Sequence, residues 1–227
     1  TERWEGYDQL MVGTGASPVR PPIDGIDAPH VHGVQHLDAV PPLLAAAERA
    51  EGTRVALIGA GYIGVELAEA FANRGAKVTM LEAGDQAILR LPADLADDLR
   101  AGIEGIGVEL RTGAAVQAIE ADRVTTDDGE YPADLVVLGL GVAPNTDLAV
   151  RAGLETGPKK GIVTDDRQRT SVEGVFAAGD CCVARHRISG ELAYVPLGTT
   201  ANRQGRVAGT NLGGGDARFP GILGTAV

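Results

Sequence analysis

The middle of the chain alternates short apolar runs with glycine-rich turns. Residues 54–58 are Arg-Val-Ala-Leu-Ile, which predicts a buried strand. A helix is predicted from the glycines that follow to about Asn73, and residues 77–81 predict a second strand. The helix is expected to carry one apolar face, formed by Ile63, Leu67, Ala70 and Phe71. This order of strand, helix and strand predicts a parallel α/β unit.

Further elements are predicted on the carboxyl side of this unit. Pro92 is expected to open a helix, and residues 107–111 to form a third strand. The apolar stripe of that helix is predicted as Leu95, Leu99 and Ile103. Residues 114–138 predict a meander with strands at 115–120, 123–126 and 135–138, and Asp128-Gly129 is typical of a hairpin turn.

The flanking regions predict fewer elements. Residues 7–13 and 174–178 are short apolar runs that predict strands, and a helix is predicted at about 200–212. Residues 18–42 hold six of the twelve prolines. We interpret them as an ordered connector and not as part of a core.

Composition narrows the class of protein. Of the 227 residues, 44% are hydrophobic and 22% charged, which is typical of a folded globular chain and excludes disorder as its main description. The longest apolar run, residues 135–143, is far shorter than the roughly 20 residues of a membrane-spanning helix. A net charge of −11 argues against binding to nucleic acid, since phosphates would be repelled.

The two cysteines indicate the cellular compartment of the protein, and the chain ends indicate whether the sequence is complete. Cys181 and Cys182 are adjacent, so they cannot close an ordinary loop by a disulfide, which favours a reducing, cytoplasmic compartment. The first residues, from Thr1, contain no apolar leader segment. Since the chain starts at Thr1 and ends in a strand-like run, we expect it to be a piece of a longer protein.

The glycines after the first strand indicate a nucleotide site. Gly59-Ala60-Gly61-Tyr62-Ile63-Gly64 fits G-x-G-x-x-G, between a predicted strand and a predicted helix. In this motif the first glycine makes the tight turn, the second lets the backbone approach a pyrophosphate, and the third lets the helix pack on the strand. The free N–H groups of the helix N-terminus would hold the phosphates. The alternative is a strand–turn–helix without a ligand.

An acidic residue at the end of the second strand indicates which dinucleotide binds. Glu82 lies 23 residues after Gly59, where a carboxylate can accept hydrogen bonds from ribose hydroxyls. It would repel a 2′-phosphate, and the nearest following arginine is Arg90. The residues therefore predict NAD(H) and not NADP(H).

Two motifs on either side resemble the FAD-binding motifs of flavoproteins with two dinucleotide domains. One is Thr170, six residues, then Ala177-Ala178-Gly179-Asp180; the other is Leu10-Met-Val-Gly-Thr14-Gly15-Ala16. Taken singly, they could be an ordinary acidic turn and an ordinary glycine turn. Because they bracket the NAD unit, the chain resembles the pyridine nucleotide-disulfide oxidoreductases. Residues 195–206 and 219–225 resemble the branch of coenzyme A-disulfide reductases, NADH oxidases and NADH peroxidases.

The resemblance implies a fold and a division of the chain. It implies a Rossmann-like α/β NAD domain at 50–157, inserted into an incomplete FAD domain made of 1–49, with its connector, and 158–227. It also implies that the FAD pyrophosphate turn, the redox cysteine and the dimerisation domain of the family lie outside these residues. The complete protein would be a homodimer that passes hydride from NADH to FAD and then electrons to a disulfide, peroxide or dioxygen.

The resemblance also implies site residues, none of them catalytic within this chain. It assigns two sets, FAD contacts at Thr14, Gly15, Gly179, Asp180, Thr200 and Ala201, and NAD contacts at Gly59, Gly61, Tyr62, Ile63, Gly64, Glu66, Glu82 and Gly141. Glu66 would lie near the nicotinamide; alternatively, it is a first-turn acid that favours the helix dipole. Cys181 and Cys182 follow the flavin aspartate and are interpreted as chemically idle.

Other hypotheses stay open. His30, His32 and His36 have a spacing that could suggest a metal, but the proline-rich context favours a solvated loop, and no metal is predicted. The protein could instead be a ferredoxin- or rubredoxin-type NADH reductase, or a non-enzymatic NAD-binding module. A G-x-G-x-x-G motif followed by a cysteine in the parent sequence before Thr1 would distinguish the disulfide oxidoreductase from these two alternatives.

Overall fold

The computed structural model describes residues 4–34, 40–89 and 91–224. The chain divides into two compact units. One is Pro18–Gly141, the inserted unit; the other, the flanking unit, contains the described parts of Thr1–Ser17 and Val142–Val227. One unit is therefore inserted in sequence within the other. The compact units join at 17/18 and 141/142, whereas the nucleotide-binding domains proposed from the sequence join at 49/50 and 157/158.

A five-stranded parallel sheet forms the centre of the inserted unit, in the order β3-β10-β4-β5-β6. Its strands are β3 (Val31–His32), β4 (Arg54–Ile58), β5 (Lys77–Glu82), β6 (Glu109–Thr112) and β10 (Leu135–Leu138). Alternate residues of the sheet enter two different cores. Val55 and Leu57 pack with the helices on one face, and Ala56 and Ile58 pack on the other face with Val124. Burial on both faces explains why these strands read as continuous apolar runs.

The described residues of this unit form the helices α1 (Val40–Ala47), α2 (Tyr62–Ala72) and α3 (Ala93–Gly105). The predicted apolar faces were partly wrong. Ile63 is 39% exposed and Leu95 50% exposed. The buried residues of α2 are Gly64, Ala68 and Phe71, because this helix packs on the sheet through a glycine. The buried face of α2 therefore differs from the predicted one, and Ile63 lies on the exposed side of the helix.

An antiparallel meander of β7 (Val116–Ile119), β8 (Arg123–Thr126) and β9 (Glu130–Pro132) covers the second face. The hairpin predicted at Asp128-Gly129 is confirmed, since Thr126 N donates to Gly129 O at 2.9 Å. The third meander strand was predicted wrongly. Residues 135–138 lie in the parallel sheet, and their four consecutive buried residues are typical of an interior strand.

The prediction that residues 18–42 are a connector outside the core was also wrong. Ile26 and Val31 belong to the core beneath the meander, and β3 pairs in parallel with β10. The prolines suggested a loop, but they lie around a two-residue strand too short to show a hydrophobic period.

The flanking unit is built on a pair of parallel strands, β1 (Leu10–Val12) and β12 (Val175–Ala177). Its other elements are β2 (Ala16–Pro18) paired with β11 (Val142–Pro144), β13 (Ala184–Arg185) paired with β14 (Leu192–Ala193), the helices α4 (Asp147–Arg151) and α5 (Gly198–Leu212), and a 3₁₀ turn at Pro158–Lys160. Across the described parts of both units, no helix combines the length and apolar character that crossing a bilayer requires.

Candidate functional site

The turn after β4 leaves no room for a side chain at two of its glycines. Gly59 has a φ of +99°, and a Cβ there would lie 2.7 Å from Gly139 O. A Cβ on Gly64 would lie 2.1 Å from Gly59 O. Both positions therefore require glycine, and α2 approaches β4 at backbone distance. This is the close helix–strand packing that the third glycine of the motif predicts.

Gly61 differs, because no atom would lie within 4 Å of a Cβ placed on it. It is the N-cap of α2, and no side chain caps the helix there. Tyr62 and Ile63 follow in the first turn, where backbone N–H groups lack helical partners. The helix N-terminus thus faces open space, which suits an anion.

A cleft of about 400 Å³ opens at this turn. Its walls come from the glycine turn, the end of β5 and the turn after β10. The lining residues are Gly59, Ala60, Gly61, Tyr62, Glu82, Ile88, Leu89, Gly139, Leu140 and Gly141. Six of the eight residues predicted for NAD are either in this lining or next to it: Gly59, Gly61, Tyr62, Ile63, Glu82 and Gly141. Gly64 lies beneath, against Gly59 O.

Glu82 holds the floor of the cleft through both carboxylate oxygens. Oε2 accepts from Ala60 N at 2.8 Å, and Oε1 accepts from Gly84 N at 2.8 Å. A carboxylate has about four lone-pair sites, so each oxygen can accept a further hydrogen bond from a ligand. Arg90, the arginine considered in the sequence, lies outside the described residues.

Glu66 is exposed on α2 and does not line the cleft. Because α2 begins at Tyr62, its first turn contains no acid. The alternative interpretation of Glu66 as a first-turn acid was therefore wrong. The nicotinamide role that the resemblance implies for Glu66 stays a prediction.

In the flanking unit, Thr14 and Gly15 are fixed by a residue far away in sequence. Thr14 Oγ1 donates to Asn145 O at 2.6 Å, and Asn145 Nδ2 donates to Thr14 O at 3.0 Å. Asn145 N donates to Gly15 O at 2.9 Å. Sequence reasoning missed Asn145 as the residue that orders this turn, since 131 residues separate it from Thr14.

Gly179 and Asp180 follow β12 at a second tight turn. Gly179 has a φ of +88°, and its N–H donates to Gln204 Oε1 at 3.0 Å. Ala201, in the first turns of α5, lies 3.8 Å from the Cβ position of Gly179, so the α5 start and this turn are brought together. Asp180 is half-buried, and this burial raises the pKa of its carboxyl.

Tyr194 is a further residue at this turn, and the sequence analysis missed it. Its hydroxyl oxygen is buried, with no hydrogen-bond partner among the described residues. Burial, followed by the negative charges of Asp180 and Cys181, raises the pKa of Tyr194 to about 12. The hydroxyl is therefore protonated and can donate a hydrogen bond. Thr200, near the start of α5, is half-buried, and no side chain caps that helix at Leu197.

Cys181 and Cys182 are free thiols buried in the core around β1 and β12. Their Sγ atoms are 3.8 Å apart. This contact lowers the pKa of the Cys181 thiol, and it acts with burial to raise the pKa of Cys182. Both thiols are closed off from solvent. Their chemical idleness stays a prediction.

Two of the three clustered histidines can be placed. His30 Nε2 lies 2.9 Å from Glu120 O, and burial lowers the pKa of His32. His36 lies outside the described residues. Within the described ranges, no group of three or more His, Cys, Asp or Glu side chains could hold a metal ion.

Comparison with known proteins places this geometry in a family. The family model described as pyridine nucleotide-disulphide oxidoreductase matches residues 2–205. The NAD(P)H coenzyme A polysulfide/persulfide reductase of Pyrococcus horikoshii is 41% identical over 97% of this chain and 51% of its own length. An NADH oxidase of Methanocaldococcus jannaschii is 35% identical over 97% and 50%. The chain spans about half the length of the curated relatives it matches, and their names agree with the predicted branch.

Solved structures share the fold. The water-forming NADH oxidase of Lactobacillus brevis, bound to NADH, superimposes with a TM-score of 0.91 at 34% identity, over 98% of this chain and 50% of that one. An FAD-dependent pyridine nucleotide-disulphide oxidoreductase of Desulfovibrio vulgaris gives a TM-score of 0.85 at 38% identity, over 96% and 57%. The predicted fold class, mixed α/β with a parallel sheet, is confirmed.

Proposed function

This chain belongs to the pyridine nucleotide-disulphide oxidoreductase family, and on that basis we propose that it is the NAD(H)-binding part, with a portion of the FAD-binding part, of an NADH oxidoreductase. The observation that carries the proposal is the uncapped N-terminus of α2, which opens into a cleft beside Gly61 and Glu82. Relatives of this family use FAD and NAD(P)H.

The inserted unit would bind the dinucleotide. Pyrophosphate would lie against Gly61 and the first-turn N–H groups of α2, where there is space for its oxygens. Ribose hydroxyls would donate to the free lone pairs of Glu82, and a 2′-phosphate would be repelled there. The glycine turn that ends at Gly141 would flank the nicotinamide end. Specificity for NADH over NADPH would follow from the repulsion between the Glu82 carboxylate and the 2′-phosphate of NADPH.

The flanking unit would bind part of FAD. Within the described residues, two groups of this unit lack the partners that a flavin could supply: the buried Tyr194 hydroxyl and the uncapped start of α5. Asp180 would accept from ribityl hydroxyls, and the N–H groups near Thr200 would stabilise negative charge on the pyrimidine edge. FAD, when bound, supplies the electron transfer between NADH and the acceptor. These residues fit the group, and their role is to bind and orient it.

The activity of the whole protein would be reduction of a small molecule, a disulfide, a peroxide or dioxygen, with NADH as the donor. The relatives named above act on persulfides and polysulfides or are NADH oxidases. A cytoplasmic location and a homodimeric assembly belong to the same proposal. The electron acceptor would bind to residues outside this chain, since no residue of the chain is assigned a catalytic role.

Nucleotide preference tests the proposal. NADH and NADPH are titrated against the wild-type chain and against Glu82→Gln, with Glu69→Gln as a matched control, because Glu69 is an exposed glutamate on α2 outside the cleft. We expect NADH to bind at least tenfold more tightly than NADPH, about 1.4 kcal/mol. Glu82→Gln should narrow this ratio, and Glu69→Gln should leave it unchanged. Equal or reversed affinities in the wild-type chain would refute the proposed site.

A further inference from the structure

A small cavity of about 200 Å³ lies in the flanking unit, between the start of α5 and the segment 221–224. Its polar lining is Arg187, Thr199, Thr200 and Arg203. The volume is below the roughly 300–1,000 Å³ that is typical of sites for drug-sized ligands. A single small group therefore suits this cavity better than a ring system.

The two arginines of this lining concentrate positive charge in an acidic chain. Both side chains are exposed, and no ion pair or hydrogen bond of either guanidinium is found in the described ranges. The hydroxyls of Thr199 and Thr200 likewise have no hydrogen-bond partner within those ranges. The net charge of the whole chain is −11, so the cavity has the opposite sign to the chain as a whole. Such a site attracts a small anion.

The position of Arg187 is fixed by the neighbouring segment. Arg187 N donates to Ile222 O at 2.8 Å. Gly221 has a φ of +88°, and a Cβ on it would lie only 3.3 Å from Arg187 Cγ. The stem of Arg187 therefore packs on bare backbone at Gly221, which places this side chain along the cavity wall.

The position of Arg203 is fixed by an aromatic ring. Its Cζ lies 5.8 Å from the centroid of the Phe219 ring, which is buried. This distance is within the roughly 6 Å of a cation–π contact. The contact engages the charge of the guanidinium and supplies no ordinary hydrogen-bond acceptor, so the N–H donors of Arg203 stay available to an anion. Both arginines are thus held in place before a ligand arrives.

The charges and donors of the cavity favour phosphate among small anions. At pH 7 a phosphate monoester carries a charge of about −1.5 to −2 and several strong acceptor oxygens, whereas a carboxylate carries a single charge. The forked N–H donors of two guanidiniums match the geometry of phosphate oxygens. The two threonine hydroxyls can donate to the oxygens that remain.

We propose that this cavity binds the phosphate group of a small phosphorylated molecule, with Arg187 and Arg203 donating to its oxygens. The Thr199 hydroxyl would donate from the start of α5. Thr200 is also in the set proposed for FAD, so the phosphate would lie next to the proposed flavin position. The inference rests on the arginine pair, which no other site uses, and does not depend on the proposed function. Free orthophosphate offers the same chemistry, and the experiment separates the two sources.

Glycerol 3-phosphate and orthophosphate are the probes, and acetate is the control anion. Each is titrated into the ¹⁵N-labelled chain at one fixed ionic strength, and the Nε–Hε signals of Arg187 and Arg203 are followed by NMR. Glycerol 3-phosphate should shift both signals saturably and bind at least tenfold more tightly than acetate. Saturation by orthophosphate but not by glycerol 3-phosphate would overturn the assignment to a phosphorylated molecule. Equal binding of acetate, or no saturable shift, would overturn the phosphate site itself.

Substitutions connect the signal to the cavity. Arg187→Gln and Arg203→Gln should each weaken glycerol 3-phosphate binding about tenfold or more, and Arg187→Lys, which keeps the charge but loses the fork, should weaken it less. Arg151→Gln is the control, because Arg151 is an exposed arginine at the end of α4, outside the cavity lining. It removes the same charge and should leave the affinity unchanged. Unchanged affinity in both cavity Gln variants, or equal weakening in Arg151→Gln, would contradict the assignment.

Discussion

Asp180 shows how a single side chain can be unfavourable for folding and still useful. It is half-buried, its burial raises the pKa of its carboxyl, and none of the ion pairs found among the described residues involves it. The folded chain therefore keeps a carboxylate where water solvates it poorly. A ligand that donates hydrogen bonds to Asp180 would relieve this cost.

We therefore expect Asp180→Asn to raise Tm at pH 7 by up to a few degrees. Since the folded-state pKa is raised, the destabilisation by Asp180 is present above that pKa. It disappears as pH falls below the ordinary aspartate pKa, so the gain in Tm should shrink towards pH 3. Calorimetry at both pH values measures the effect.

Asp97→Asn is the control, because Asp97 is exposed on α3. Its Tm should stay close to the wild-type value at both pH values. A lower Tm for Asp180→Asn at pH 7, or a gain that does not depend on pH, would show that the carboxyl is not destabilising in the folded chain.

At the scale of elements, two helices offer a direct comparison of glycine roles. In α2, a Cβ on Gly64 would lie 2.1 Å from a backbone oxygen, whereas in α3 a Cβ on Gly102 would meet nothing within 4 Å. Gly64→Ala must therefore push α2 away from β4, and we expect a loss of about 2 kcal/mol or more in the free energy of unfolding. Urea unfolding measures it.

The matched variant in α3 should have the opposite sign. Gly102→Ala removes the flexibility of an exposed mid-helix glycine, and we expect a gain of about 0.5–1 kcal/mol. If Gly64→Ala were as stable as Gly102→Ala, the close approach of α2 and β4 would be disproved.

The elements that could be predicted from the sequence share a physical property. Strands β4 and β5 are apolar runs and helix α2 follows the glycine motif directly, so the local sequence determines all three. Strand β3 has only two residues, and its place in the sheet depends on pairing with β10, about 100 residues away. Strand β10 was placed in the wrong sheet for a related reason, because a fully apolar run does not indicate its neighbours.

The candidate sites divide in the same way. The glycines at 59, 61 and 64 and Glu82 could be identified because their spacing along the chain is the signal. Asn145, Tyr194 and Gln204 act through contacts with residues distant in sequence, and nothing local identifies them. Their roles become visible only through an unsatisfied hydroxyl or a hydrogen bond across the fold.

At the scale of the whole molecule, the two nucleotides are expected to behave differently. The inserted unit contains a complete G-x-G-x-x-G turn with its helix, and the chain has one such segment. The FAD contacts proposed for the flanking unit would concern the ribityl chain and the flavin ring, and would leave the ADP half without several charge-assisted hydrogen bonds of roughly 1.5–3 kcal/mol each.

We therefore expect the 227-residue chain, purified alone, to be colourless, to bind NADH and to show no NADH-dependent reductase activity. Its FAD affinity should be about three orders of magnitude below that of a protein that also carries the ADP-binding turn. Visible absorbance spectra and FAD titration measure this. A flavin band at one FAD per chain would show that the flanking unit suffices.

The ends of the inserted unit lie next to each other. Val19 N donates to Gly141 O at 3.0 Å, and just outside them β2 pairs with β11. The segment 18–141 therefore begins and ends at the same place in the structure, as inserted domains often do. Because its ends are adjacent, this segment could be exchanged between family members without lengthening the two connecting peptides. Its two ends could also be joined to each other to give a circular chain. The segment can then evolve by recombination of the whole unit as well as by point substitution.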